Sequence, residues 1–167
     1  QTVSALVDMG ITPWLVTGDS SEVAASVATT VGIDAAHVVS HALPETKLEI
    51  VERLKSEGHT VLMIGDGIND AAALTAANLS MAMGTGTDTA INSADITLMN
   101  TGLGSVVSAL KLSTKTLKII RLNMGWAFIY NIIGLPIAAA GLLSPLYAAA
   151  AMAASSVLVV TNSLRIK

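Results

Sequence analysis

The first hundred residues alternate short apolar runs with segments of helical periodicity. Short apolar runs bounded by glycine, proline or polar residues are typical of buried strands, whereas apolar residues spaced three and four apart indicate helices. Strand and helix in turn predict an α/β fold in which helices cover a parallel sheet. The predicted strands are 11–17, 37–40, 60–64, 79–83 and 96–99, and the predicted helices are 21–31, 44–57 and 70–76.

The last third of the chain is patterned differently. Residues 124–143 and 145–164 are two runs of twenty residues without a charged side chain. Each is long enough to cross the roughly 30 Å hydrocarbon core of a bilayer as a helix. Basic residues flank the pair on both sides, which predicts a hairpin whose two ends face the cytoplasm. Two buried core helices are the alternative, but so small a domain cannot surround them.

The predicted organisation therefore has five parts. Residues 1–105 form the α/β domain, 106–123 a basic amphipathic connector helix, 124–143 and 145–164 the transmembrane helices, and 165–167 a cytoplasmic tail. The chain opens on Gln1 without a signal peptide, and we expect it to be a piece of a longer protein.

Charge and composition also indicate two regions, one surrounded by water and one partly in lipid. Hydrophobic residues make up 52% of the chain and charged residues 13%, against about 25% charged in ordinary soluble domains. All twelve acids and only three bases lie before residue 100, a net charge of −9, and the remaining residues carry +6. An acidic region with few aromatic residues excludes a basic nucleic-acid binder. Without cysteine, this chain contains no disulfide, thiolate metal site or cysteine nucleophile.

The most specific motif follows the third predicted strand and reads Gly-Asp-Gly-Ile-Asn-Asp. Its glycines permit a tight backbone and close approach of a ligand. Asp66 offers a hard carboxylate oxygen to Mg²⁺, and Asn69 and Asp70 open the next helix, where they cap it or support the metal site. An acidic turn before a helix cap is the simpler interpretation of Asp70 alone.

Two further polar groups lie near the carboxyl ends of predicted strands, where the chemistry of such sheets gathers. Thr17, followed by Gly18 and Asp19, can direct a hydroxyl and a backbone N–H at a phosphoryl oxygen, and Lys47 can neutralise developing charge. In isolation Lys47 is better explained as a helix-surface lysine. Together with Asp66, these groups suit phosphoryl transfer to a carboxylate, but no Asp-x-Asp or Asp-Lys-Thr-Gly segment supplies the nucleophile.

The predicted transmembrane helices contain polar and soft side chains, namely Tyr130, Asn131, Met152, Ser155 and Ser156. An asparagine in mid-membrane is costly without a partner, so Asn131 should face protein or a wet pathway. Met152 lies three and four residues before the two serines, hence on one helical face with them. A thioether suits monovalent copper, and neither helix contains a carboxylate for a harder ion. Gap filling by methionine and helix packing by serine remain the alternative.

Four segments together resemble the second half of the phosphorylation domain of a P-type ATPase, which has the haloacid dehalogenase-like fold. They are Thr17-Gly18-Asp19, Leu43-Pro44-Glu45-Thr46-Lys47, the stretch from Met63 to Leu74, and Gly84-Thr85-Gly86-Thr87-Asp88-Thr89-Ala90. The two apolar runs are similar to the last two helices of the heavy-metal branch. Tyr130-Asn131 and Met152-x-x-Ser155-Ser156 resemble the copper and silver exporters in particular.

The resemblance implies an ATP-driven Cu⁺ export pump that works through a phosphoaspartate, with ATP and Mg²⁺ as cofactors. Asp66 would bind Mg²⁺ with support from Asn69 and Asp70, and the Thr17 segment and Lys47 would contact phosphate. The membrane site would comprise Tyr130, Asn131, Met152 and one or both of Ser155 and Ser156. A multi-pass protein of the plasma (inner) membrane is implied, with lipid, the remainder of its own polypeptide and a copper chaperone as partners, and no nucleic acid.

Several parts of that family's machinery are not in this chain. Its Asp-Lys-Thr-Gly segment, nucleotide-binding and actuator domains and Cys-Pro-Cys helix would lie upstream of Gln1, so we expect this chain alone neither to hydrolyse ATP nor to pump. Zinc and cadmium pumps would carry an acidic residue in the last helix, and none is here. Transport of silver or another heavy metal, a membrane-anchored Mg²⁺-dependent phosphatase and a noncatalytic regulator remain alternatives.

Overall fold

The computed structural model describes residues 1–99, 102–142 and 144–166, which form two compact units, residues 1–107 and 108–167. The helices are α1 (Thr2–Asp8), α2 (Ser21–Val31), α3 (Pro44–Ser56), α4 (Ala71–Ala76), α5 (Asp88–Ser93), α6 (Gly104–Ala139) and α7 (Pro145–Ser163). The strands are β1 (Leu15–Val16), β2 (Val38–Val39), β3 (Leu62–Gly65), β4 (Leu79–Met83) and β5 (Ile96–Leu98).

All strand pairs in the first unit are parallel, as predicted. β1 pairs with β2, and β3, β4 and β5 form a second sheet with β4 in the middle. The central residues of β4 are buried, as expected for a strand covered on both faces. Among the described residues the strands thus form two parallel sheets rather than one, and the β1–β2 pair is only two residues long on each side.

Helices pack on the three-stranded sheet through small apolar side chains. Leu74 of α4, Ala82 of β4 and Ala90 of α5 form a buried cluster against which Met63 and Ile91 pack. Small residues let helix and strand backbones approach closely, which leaves little room for larger side chains. This packing places the loop after β3 and the start of α5 on the same side of the unit.

The starts of β4 and β5 are joined by a polar contact. Asp95 accepts hydrogen bonds from the hydroxyl and the backbone N–H of Ser80, at 2.8 and 2.9 Å, and its own N–H donates to that hydroxyl at 3.0 Å. These hydrogen bonds lower the pKa of the Asp95 carboxyl because they favour its charged form. Ser80 is buried, so the contact also satisfies its hydroxyl.

Several elements differ from the sequence-based predictions. α1 and α5 were not predicted, because α1 buries no residue and α5 has only six residues, so neither shows a clear apolar stripe. β1 covers only the end of the predicted strand 11–17. Pro13 lies in the missing part, and proline cannot donate to a strand ladder.

The second unit consists of α7 and most of α6. Both helices are long and apolar enough to cross a membrane. The predicted connector and first transmembrane segment run as one continuous helix, which passes through Pro136 and ends at Ala139. Apolar side chains along it, such as Ile132 and Leu135, are largely exposed. Leu143 and Lys167, which end the predicted first transmembrane segment and the tail, lie outside the described residues.

Candidate functional site

The loop after β3 presents the Asp66 side chain to solvent. Its carboxylate accepts no hydrogen bond from the described part of the chain, but its backbone is held on both sides. The Asp66 N–H donates to Oδ2 of Asp70 at 3.3 Å, and the Asp66 carbonyl accepts from the N–H of Thr87 at 2.9 Å. A fixed backbone with a free carboxylate is the arrangement that a metal ligand requires.

Asp70 is buried beneath that loop and forms an ion pair with Lys47. The Lys47 Nζ lies 2.6 Å from Asp70 Oδ1, and the two side chains are 16% and 8% exposed. The other carboxylate oxygen accepts the N–H groups of Asp66 and Gly67, at 3.3 and 3.4 Å. These contacts offset the cost of burying the two charges. Asp70 thereby links α3 to the loop that carries Asp66.

Two glycines of this region allow backbones to touch. A Cβ at Gly65 would lie 2.7 Å from the Cβ of Asp70, and a Cβ at Gly86 would lie 2.7 Å from the Asp66 carbonyl oxygen. Thr87 caps α5 through its side chain, which accepts from the N–H of Ala90. The sequence singled out the Gly84–Ala90 segment only by resemblance; the structure places Gly86 and Thr87 directly against Asp66.

The Thr17-Gly18-Asp19 segment is fixed next to the loop that leads into α3. The Thr17 hydroxyl donates to Asp19 Oδ2 at 2.7 Å, and the Thr17 carbonyl accepts from the N–H of Ala42 at 2.9 Å. The Asp19 carbonyl accepts from His41 at the same distance. Among the described residues no hydrogen bond joins Thr17 to Lys47 or to the Asp66 loop, so the three groups are linked through α3 rather than directly.

The residues present fit part of a magnesium site. Within the described residues no cluster of three histidine or acidic side chains could hold a metal. Mg²⁺ is commonly bound by one or two carboxylates together with water and phosphate oxygens, and Asp66 supplies one free carboxylate. Asn69 is exposed beside it and makes no side-chain hydrogen bond in the described chain. A complete site needs ligands in addition to Asp66.

In the second unit, α6 and α7 enclose an open groove of about 480 Å³. Tyr130 and Ser155 both line it, so the structure brings together one predicted site residue from each helix. The ring of Trp126 lies 6.3 Å from that of Tyr130 on the same wall. Between the two candidate serines, Ser155 is the one that faces this groove.

The other predicted membrane residues do not line the groove. Asn131 donates to the carbonyl of Ala127 within its own helix at 3.0 Å, and Ser156 donates to the carbonyl of Met152 at 3.1 Å. The Met152 side chain is 73% exposed. Asn131 therefore has an intrahelical partner, and Met152 is exposed but is not among the residues that line the groove shared by Tyr130 and Ser155.

Sequence reasoning missed one polar contact between these helices. Asn123 of α6 accepts from Asn162 at 2.7 Å and donates to Ser163 at 3.1 Å. Asn162 lies near the end of the second apolar run and Asn123 directly before the first, and neither is among the predicted site residues. An amide at the border of an apolar run is the signal that could have identified both.

The α/β unit and its loop geometry define a haloacid dehalogenase-like domain, and the family described as haloacid dehalogenase-like hydrolase matches residues 1–78. Among curated relatives, the copper-exporting P-type ATPase of Mycobacterium tuberculosis is 54% identical over 99% of this chain and 21% of its own length. The probable copper-importing P-type ATPase A of Enterococcus hirae is 48% identical over 98% of this chain and 23% of its own. The chain is thus similar over nearly its whole length to part of each of these P-type ATPases.

A solved structure supports the same assignment. A zinc-transporting PIB-type ATPase in its E2.Pi state shares 34% identity and a TM-score of 0.88, and the match covers 99% of this chain and 27% of that one. The catalytic domain of a CPx-ATPase matches 65% of this chain with a TM-score of 0.61. The chain thus spans about a fifth of the length of the curated relatives it matches.

Proposed function

We propose that this chain is the carboxyl-terminal part of an ATP-driven pump that exports Cu⁺ through a phosphoaspartate intermediate. The observation that carries the proposal is the Lys47–Asp70 ion pair. Asp70 also accepts a hydrogen bond from the Asp66 N–H, which fixes the loop backbone and leaves the Asp66 carboxylate free. The names of several curated relatives, and a helix pair that carries methionine, serine, asparagine and tyrosine but no carboxylate, favour a soft monovalent ion.

In the first unit, Asp66 would hold Mg²⁺ through one carboxylate oxygen, and bound Mg²⁺ would neutralise charge on the transferred phosphoryl group. Asp70 keeps the Asp66 backbone in place through its hydrogen bonds to Asp66 and Gly67. The Thr17 N–H donates to the Val39 carbonyl at 2.9 Å, so only its hydroxyl is left for a phosphoryl oxygen, and it would have to turn away from Asp19 to donate there. Gly18 would allow close approach of the phosphate.

Lys47 contributes its charge through the pair with Asp70. An ammonium group held there lowers the cost of gathering phosphate oxygens near the Asp66 loop. The nucleophilic carboxylate would come from outside residues 1–167. It would attack the γ-phosphorus of ATP, form an acyl–phosphate bond and release ADP, and water would later cleave the acyl phosphate.

In the second unit, Tyr130 and Ser155 would line the path of the ion. Asn131, Met152 and Ser156 would face transmembrane helices from the rest of the polypeptide. Exposure of Met152 in this chain suits a ligand that completes its site against another helix. Both flanks of the helix pair are basic, which favours a cytoplasmic α/β unit in a multi-pass inner-membrane protein. A copper chaperone is the proposed soluble donor.

The test is metal-dependent transport by the polypeptide that contains this chain in its own reading frame. Inside-out vesicles should accumulate Cu⁺ when ATP is added, and Zn²⁺ should not substitute. Asp66→Asn should abolish uptake, whereas Asp8→Asn, which replaces an exposed aspartate without a side-chain hydrogen bond in the described chain, should not. Phosphatase activity that requires Mg²⁺ but not Cu⁺, without uptake, would instead favour a membrane-anchored phosphatase. Uptake into right-side-out vesicles would reverse the direction of transport.

A further inference from the structure

A continuous relay of hydrogen bonds joins α6 and α7 near the basic ends of the pair. The Asn162 amide donates to Asn123 Oδ1, the Asn123 amide donates to Ser163 Oγ, and Ser163 Oγ donates to the carbonyl of Val159 at 2.8 Å. All four residues are half-buried. Asn123 uses both ends of its amide, so a slip of either helix would break two hydrogen bonds at once.

The number of residues between the relay and the groove is the same on both helices. Tyr130 lies seven residues after Asn123, and Ser155 lies seven residues before Asn162. Seven residues are close to two helical turns, about 10.5 Å along the axis. In an antiparallel pair, the contact between Asn123 and Asn162 therefore sets Tyr130 opposite Ser155. Trp126 and Val159, which both line the groove, lie at the intermediate level, because Trp126 is three residues after Asn123 and Val159 is three residues before Asn162.

We infer that Asn123 is a positioning residue that fixes the register of the last two transmembrane helices and thereby holds Tyr130 and Ser155 on one face of the ion path. The inference rests on the proposed function for its connection to Cu⁺, but the register can be measured without it. A slip of one residue would turn Ser155 by about 100° away from Tyr130.

Disulfide cross-linking measures the register directly. Trp126→Cys with Val159→Cys places one thiol on each wall of the groove at the same level, and oxidation should join them. Val160 is 58% exposed and does not line the groove, so Trp126→Cys with Val160→Cys is the matched control and should not cross-link. Trypsin leaves both positions in the single peptide 122–165, since no lysine or arginine lies between Arg121 and Arg165. A disulfide between the two introduced cysteines lowers the mass of that peptide by two hydrogens. Mass spectrometry of this peptide therefore reports the bond even if other cysteines occur in the polypeptide.

Adding Asn123→Leu to the Trp126 and Val159 cysteine pair should remove most of the cross-link. Without the introduced cysteines, Asn123→Leu should raise the Cu⁺ concentration for half-maximal ATPase activity by about threefold to tenfold, with the ATP dependence unchanged. Thr114→Val is the control, because Thr114 donates only within its own helix, to the carbonyl of Leu110, and does not line the groove. It should change neither quantity. Asn123→Ser, which keeps a hydrogen-bonding group, should lie between.

Three outcomes would overturn the inference. The cross-link could form equally at Val160, or it could persist in Asn123→Leu. Asn123→Leu could also lose the cross-link with an unchanged Cu⁺ dependence, which would mean that the register does not govern the ion path. An unchanged ATP dependence shows that the variant is folded. If the unmodified protein has no Cu⁺-stimulated ATPase activity, the proposed function fails and the connection to Cu⁺ with it, whereas the cross-link still decides the register.

Discussion

Lys47 and Asp70 form a buried ion pair, with Nζ 2.6 Å from Oδ1, across an interval of 23 residues. The pair connects α3 to the loop after β3, and the second Asp70 oxygen holds the backbone on which Asp66 stands. One carboxylate therefore serves both the packing of α3 and the shape of the candidate magnesium site. A substitution at Lys47 should therefore change the free energy of unfolding of the first unit as well as the activity.

Lys47→Ala should destabilise the first unit by about 3–5 kcal/mol, because it leaves the Asp70 carboxylate buried without its partner. Urea unfolding followed by Trp14 fluorescence measures this, in a Trp126→Phe background that leaves Trp14 as the single tryptophan of the chain. Glu57→Ala, which removes an exposed partner 4.0 Å from Arg53, is the control and should cost less than about 1 kcal/mol. Equal midpoints for the two variants would show that the Lys47 pair contributes no more than a surface contact.

Local sequence signals predicted those elements whose ends are fixed by local chemistry. α2 begins and ends where predicted, because the Ser20 hydroxyl accepts from Val23 at its start and Gly32, with φ at 84°, ends it. β4 also matches in full. The short α1 and α5 were missed, since α1 buries no residue and α5 buries only Ala90, so neither has an apolar pattern of its own.

The candidate site was predicted as a set of residues but not as a set of contacts. The glycines around Asp66 and the strand before it are local features, so that loop could be recognised. The Lys47–Asp70 pair and the Gly86 contact with Asp66 depend on how α3 and α5 pack, which no local pattern specifies. The same holds for Ser155 and Ser156, because a shared helical face does not say which side meets the neighbouring helix.

Gly86→Ala should displace the Asp66 loop. The added Cβ would lie 2.7 Å from the Asp66 carbonyl oxygen and 2.9 Å from that of Met83, and backbone atoms cannot yield as a flexible side chain can. Overpacking of this kind costs about 1–3 kcal/mol, so the apparent Mg²⁺ affinity of the ATPase should fall. Gly102→Ala is the control, since a Cβ there meets nothing within 4 Å. Unchanged Mg²⁺ dependence in Gly86→Ala would separate this contact from the metal site.

The Asp95–Ser80 contact should make the first unit sensitive to acid. The hydrogen bonds from Ser80 place the folded-state pKa of Asp95 below its usual value of 3.8. A carboxyl with a depressed pKa contributes stability that is present above its unfolded pKa and lost as the pH falls through the folded pKa. Below about pH 4, the intact protein should therefore lose stability more steeply than Asp95→Asn. Urea midpoints from pH 6 to pH 2.5 measure the difference, and Asp8→Asn should follow the intact protein. Parallel curves for Asp95→Asn and the intact protein would contradict the assignment.

Ser155→Ala should weaken Cu⁺ binding more than Ser156→Ala, because Ser155 lines the groove with Tyr130 whereas Ser156 donates to the carbonyl of Met152 in its own helix. Loss of one hydroxyl contact corresponds to about threefold to tenfold in affinity. Met152→Ala should also weaken binding, since it removes the thioether, the soft ligand that suits Cu⁺ best in the two helices. Competition with a Cu⁺ chelator in the full polypeptide gives the stoichiometry and the affinity. Ala153→Ser, which alters a neighbouring exposed position, is the control. A larger effect at Ser156 than at Ser155 would mean that the ion path lies on the other face of α7, and unchanged affinity in Met152→Ala would assign that side chain to packing alone.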